Sequence, residues 1–133
     1  IGIPAVCLSY LLERDLVLSK ENILKITSIA MAISIFLASI SNISFENIIS
    51  LNNKLIHFIV YFVLAVTTFY ASKNTNQIIL MFIIISVGIV TEFAQYITGL
   101  RNFEYMDIIA NSFGVLGGYI IFSFMKKTLK KAL

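Results

Sequence analysis

Cysteine and histidine are almost absent from this chain, which contains only Cys7 and His57 of these two types. A single cysteine cannot form an internal disulfide, and it excludes a metal site built on several thiolates. Zinc sites usually combine several histidine, cysteine or carboxylate ligands, so we expect neither a metal nor another cofactor. The chain also lacks a P-loop, a nucleotide-binding glycine pattern, a nucleophilic-serine motif and an internal repeat.

Charge is equally scarce. Only 13% of the 133 residues are charged and 59% are hydrophobic, with a mean hydropathy of +0.92. Soluble domains contain about 25% charged residues, so this composition is typical of a membrane protein. At this length we expect one domain covering residues 1–133. The net charge of +3 is accounted for by lysines near the C-terminus, namely Lys126, Lys127, Lys130 and Lys131. Beside an apolar helix they favour contact with anionic lipid and not with nucleic acid.

Four apolar stretches are long enough to cross a bilayer, which takes about 20 residues. They cover residues 23–41, 55–72, 78–97 and 107–125. The sequence therefore predicts an all-α, polytopic membrane protein with a bundle of four transmembrane helices. Residues 1–12 are also apolar but too few to span, so they form either an interfacial helix or the tail of a further span. No basic segment or small-residue cleavage site marks them as a signal peptide.

The distribution of basic residues predicts the orientation. Eight of them flank the predicted spans on one side: Arg14, Lys20, Lys25, Lys73 and the four C-terminal lysines. Only Lys54 and Arg101 lie on the other side. Since basic loops favour the cytoplasm, we expect both ends of the four-span region to be cytoplasmic and the loops 42–54 and 98–106 to be extracytoplasmic.

Polar and ionisable residues at the ends of the apolar segments form one layer near the predicted outer surface. They are Lys54, His57, Glu92, Gln95, Arg101, Asp107 and Asn111. Their spacings of three and four residues place those of each span on one helix face. Ionisable residues in membrane helices usually face a protein interior or a wet cavity, so we expect these seven to form a ligand-binding cavity.

Each of the three candidate acid–base residues also has a structural interpretation. His57 suits proton transfer because its unperturbed pKa lies near neutrality, yet it could equally pack against Glu92 or Asp107. Glu92 is the most deeply placed carboxylate and could be an acid, a base or the counter-ion of Lys54 or Arg101. Asp107 could cap the last helix. Arg101 could bind a phosphate through two parallel hydrogen bonds, or it could simply anchor the chain at the membrane interface.

At these residues the sequence resembles the VanZ-like membrane protein family. The shared motifs lie within residues 52–118 and read Asn53-Lys54-x-x-His57 with Tyr61, Glu92-x-x-Gln95, and Arg101 followed by Asp107-x-x-x-Asn111-x-x-Gly114. Asn53 stands where the family usually has aspartate, which removes one carboxylate. The resemblance implies a small protein of the bacterial inner membrane. The family is named after a member that confers resistance to the glycopeptide teicoplanin, although many members occur without a resistance cluster.

Three functions are compatible with these residues. A binding or resistance protein would hold an anionic lipid, a wall precursor or a glycopeptide on Lys54 and Arg101. A membrane-embedded enzyme would act on a lipid-linked phosphate or ester, with His57 and Glu92 as acid and base. A transporter is the least favoured, because its polar path should continue to the cytoplasmic side. The sequence leaves the ligand and the oligomeric state open.

Overall fold

The computed structural model describes residues 5–41 and 52–132, and these contain four α-helices. The helices are α1 (Ala5–Ser39), α2 (Asn53–Ala71), α3 (Gln77–Ile97) and α4 (Tyr105–Ala132). Each contains a segment long and apolar enough to cross a membrane. The all-α, four-span prediction is therefore confirmed. Most of the predicted loop 42–54 lies outside the described residues.

The bounds of α2 and α3 follow from local hydrogen bonding. The Asn52 and Asn76 side chains accept from the backbone N–H groups of Lys54 and Ile78, each at 3.0 Å. Such caps satisfy amides that have no partner in the first helical turn. Beyond α3 the chain reverses at Gly99, whose φ of 67° is a conformation that glycine adopts at little steric cost. This turn brings α4 back beside α3.

The first helix is longer than predicted. No break separates residues 5–12 from the first span, so the described part of that segment is a continuation of α1 and not a separate interfacial helix. Thirty-five helical residues measure about 52 Å, well over the ~30 Å hydrocarbon core. Glu21 pairs with Lys73, in the turn after α2, at 2.9 Å. Residues 22–39 therefore lie beside α2, and residues 5–20 continue past that end of the bundle.

The closest packing joins α2 and α4, where small residues face the neighbouring backbone. A Cβ atom at Gly114 would overlap the carbonyl oxygen of Phe58, and one at Gly118 would lie 2.8 Å from Ala65 Cβ. Glycine at both positions thus lets the two backbones approach closely. The small residues of α1 behave differently. Ala30 and Ser34 line an open apolar groove of about 490 Å³ beside α2.

An apolar core fills the bundle between the two ends. Its buried side chains come from α2, α3 and α4 and comprise Tyr61, Leu64, Ala65, Phe69, Ile84, Val115 and Phe122. The start of α2, the end of α3 and the start of α4 lie together above this core. Most of the buried polar side chains lie at this end as well: Thr91, Glu92, Gln95, Asp107 and Asn111. The fold therefore concentrates its interior polarity in one layer.

Candidate functional site

Asp107 is at the centre of the polar layer. It lies in the first turn of α4 and is only 1% exposed. Its Oδ2 accepts a hydrogen bond from Asn53 Nδ2 at 3.1 Å and lies 3.3 Å from His57 Nε2. Its Oδ1 is buried without a hydrogen bond, 3.8 Å from Lys54 Nζ. The side-chain contacts of this carboxylate are thus with residues of α2. They differ from the helix cap that the sequence suggested as an alternative.

His57 is held at both ring nitrogens. Its Nδ1 lies 3.0 Å from Asn111 Oδ1, and its Nε2 faces Asp107. Both partner atoms are oxygens, so a ring nitrogen that carries a proton donates to Asn111 or to Asp107. The amide Nδ2 of Asn111 is buried without a partner, beside Gly88. His57, Asp107 and Asn111 therefore tie α2 to α4 in a largely buried polar contact.

Glu92 does not serve as the counter-ion of Lys54. Its side chain is 2% exposed, and its Oε1 accepts the backbone N–H of Glu104 at 2.9 Å. Lys54 pairs instead with Glu104, at 3.1 Å, and with Asp107. Glu92 consequently holds the backbone of the α3–α4 turn. Gln95 lies about one turn further along α3 and is likewise buried.

The exposed part of this layer consists of three charged residues, Lys54, Arg101 and Glu104, which we call the rim. Nearly half of the Lys54 and Glu104 side chains is exposed, at 47% and 42%. Arg101 Nη1 donates to Asn53 Oδ1 at 3.2 Å, and Asn53 in turn contacts Asp107. Beneath the rim are four polar residues that we call the floor: His57, Glu92, Asp107 and Asn111. One chain of contacts thus links rim and floor.

Glu104 and Asn53 were not among the seven candidate site residues, although Asn53 was noted as a departure from the family motif. Glu104 precedes Asp107 by three residues in the acidic and aromatic segment after Arg101, and that spacing was the available signal. The hydrogen bond and charge of Lys54 hold the pKa of the exposed Glu104 carboxyl below its usual value. Asn53 occupies the position of the missing aspartate. Its amide accepts from Arg101 and donates to Asp107, a bridge that a carboxylate could not make.

The polar contacts end one layer below the floor. Thr91 donates to the Gly88 carbonyl oxygen at 2.8 Å, so Tyr61 is the donor in its 2.9 Å hydrogen bond to Thr91. Below Tyr61 the interior consists of apolar side chains such as Leu64 and Phe69. Among the described residues of α2, α3 and α4, the buried polar side chains stop at Thr91, above this apolar core.

The comparison with known families agrees with the motif resemblance. The family model described as VanZ/LLP1 matches residues 13–126, which include the whole polar layer. The chain belongs to the VanZ/LLP1 family. We find no curated protein and no solved structure that matches it. Family membership and the four apolar helices together identify a multi-pass membrane protein of the VanZ type.

Proposed function

We propose that this VanZ family protein binds the anionic head group of a membrane amphiphile at the rim, on Lys54 and Arg101. An anionic lipid, a lipid-linked wall precursor and a glycopeptide such as teicoplanin all present such a group. The observation that carries the proposal is the position of Lys54. Its side chain is 47% exposed, and its ammonium lies 3.8 Å from Asp107, a carboxylate that is 1% exposed and has an unsatisfied oxygen. Buried charges in membrane bundles are rare and usually functional.

Separation of Lys54 from Glu104 costs little free energy. The Lys54–Glu104 pair is exposed, and such pairs contribute about 0–1 kcal/mol. An incoming phosphate or carboxylate can therefore replace Glu104 on Lys54, while Asp107 keeps the ammonium in place. Arg101 adds a planar guanidinium suited to two parallel hydrogen bonds. The floor then acts as the support that positions the two cations.

The second candidate is a membrane-embedded enzyme that acts on a lipid-linked phosphate or ester. The 3.3 Å contact between His57 and Asp107 favours it, because a carboxylate often orients a catalytic imidazole. Against it, both ring nitrogens of His57 are engaged, and Glu92 and Asp107 are almost fully buried. A general acid or base needs an atom within hydrogen-bond reach of its substrate. Binding therefore fits the geometry better than catalysis.

Incubation of the purified protein with a polar lipid extract from bacterial membranes distinguishes these functions. We expect saturable retention of phosphate-bearing lipid, and Lys54→Gln should reduce it several-fold. Lys20→Gln, an exposed lysine of α1, is the matched control and should bind normally. Equal retention by all three proteins would refute the proposed function. Lipid turnover that depends on His57 would establish the enzyme instead.

We also propose that the rim faces the outside of the bacterial inner membrane. The basis is the eight-to-two division of basic residues, with Lys54 and Arg101 at the rim end of the bundle. After Cys7→Ser, a cysteine introduced at exposed Phe103 should react with an impermeant maleimide in intact cells. A cysteine at Thr75, in the opposite turn, should react only after permeabilisation. The reverse pattern would refute this orientation.

A further inference from the structure

The rim carries opposite charges side by side. Lys54 and Glu104 form an exposed ion pair, and Arg101 lies close by through Asn53. With the floor included, the described cluster holds the cations Lys54 and Arg101, His57 when protonated, and three carboxylates, Glu92, Glu104 and Asp107. By formal charge, the cations among these residues do not outnumber the carboxylates. Net positive charge therefore does not explain how this surface would attract an anion.

A purely anionic ligand would bind here at an electrostatic disadvantage. When it replaces Glu104 on Lys54, the displaced carboxylate remains three residues before Asp107, close to the new anion. Like charges at such distances repel, and the repulsion is stronger beside a low-dielectric membrane than in bulk water. Glu104 cannot move far away, because its backbone N–H is bound to Glu92 Oε1 at 2.9 Å. A second group on the ligand that neutralises Glu104 removes this disadvantage.

We propose that the ligand head group is zwitterionic, with its anion on Lys54 and Arg101 and a primary ammonium on Glu104. The inference rests on the proposed function and adds the second charge. Such a ligand replaces both partners of the Lys54–Glu104 pair at once, so each rim charge keeps an opposite neighbour. Glu104 is suited to this role because its lowered pKa keeps it ionised.

The hydrogen-bond capacity of Lys54 agrees with this exchange. Its ammonium has three donors, and Asp107 Oδ1 is a buried acceptor without a hydrogen bond only 3.8 Å away. A shift of about 1 Å would close that bond at normal length. Release from Glu104 lets Lys54 make this shift and still offer donors to the ligand anion. The unsatisfied oxygen of Asp107 is thereby satisfied in the bound state.

The aromatic residues around Glu104 place it at head-group depth. Phe103, its neighbour in the chain, packs edge-on against Phe93 at 6.1 Å and Tyr96 at 6.3 Å. All three rings are at least 41% exposed. Exposed aromatic side chains at the end of a membrane helix usually lie at the level of the lipid head groups. A phosphate and an adjacent ammonium of a lipid can both reach the rim at this level.

Lipid competition tests the inference. The detergent-purified full chain is mixed with equimolar dioleoyl phosphatidylethanolamine and dioleoyl phosphatidylglycerol, and bound lipid is counted by native mass spectrometry. We expect a preference for phosphatidylethanolamine of roughly 1.5- to 5-fold, the range for an exposed ion pair. Glu104→Gln should bring the ratio to about one. Glu13→Gln, on exposed α1, is the matched control and should retain the preference.

The remaining outcomes separate this inference from the proposed function. Retention of the preference in Glu104→Gln would overturn the assignment of the ammonium to Glu104. A wild-type preference for phosphatidylglycerol that Lys54→Gln abolishes would overturn the zwitterion but support the anion site. Binding of both lipids that is indifferent to Lys54→Gln would overturn the proposed function itself. Thermal unfolding of each variant verifies that it is folded.

Discussion

Asp107→Asn should lower the stability of the bundle by about 3 kcal/mol, the lower end of the range for breaking a buried charged pair. The lower end applies because Lys54 is 47% exposed and can return to water. His57 has less access to water after the change, because its side chain is only 16% exposed. Asparagine keeps the shape but removes the negative charge and replaces one of the two acceptor oxygens by an N–H₂ donor.

Titration of the purified protein with a denaturing detergent measures this loss of stability. Asp15→Asn is the matched control because its pair with Arg14, at 3.9 Å, has both side chains more than half exposed. The control should change stability by no more than about 0.5 kcal/mol. Equal unfolding curves for the two variants would mean that the carboxylate of Asp107 does not hold the layer together.

The four helices were predictable because long apolar runs leave few alternatives in a membrane, where only helices and closed barrels satisfy the backbone. The bounds of α2 and α3 came within two residues of the prediction. The length of α1 was not predicted. The charged segment Glu13-Arg14-Asp15 ends the apolar run of residues 1–12 but does not end the helix, because charged residues are compatible with a helix that is mostly exposed there.

Part of the site was predictable because helical spacing determines which face a residue occupies. The approach of Lys54, His57, Asp107 and Asn111 follows from spacings of three and four on α2 and α4. The partner of Glu92 could not be predicted, because it is a backbone amide in a turn and no side-chain pattern encodes it. For the same reason, the sequence did not indicate that Lys54 pairs with Glu104 and not with Glu92. The conformation of the turn, with Gly99 at positive φ, decides which carboxylate reaches the rim.

Glu92→Leu should release the turn that carries Glu104. The change removes the acceptor of the Glu104 N–H, a hydrogen bond to a charged group that contributes about 1.5–3 kcal/mol. Amide exchange at Glu104 should then accelerate by a factor of about 10 or more, since 1.4 kcal/mol corresponds to tenfold. Hydrogen exchange of a peptide covering residues 98–105, followed by mass spectrometry, provides the measurement.

Glu92→Gln tests whether Glu92 acts by holding the turn in position or through its negative charge. Glutamine retains an oxygen that can accept the Glu104 N–H, so we expect amide exchange close to that of the native protein. If Glu92 acts only by positioning the turn, Glu92→Gln should also bind head groups normally, whereas Glu92→Leu should lose the discrimination due to Glu104. If the buried charge itself supports the cations of the site, Glu92→Gln should lose binding while the turn remains protected. Native exchange and native binding in Glu92→Leu would show that Glu92 serves neither role.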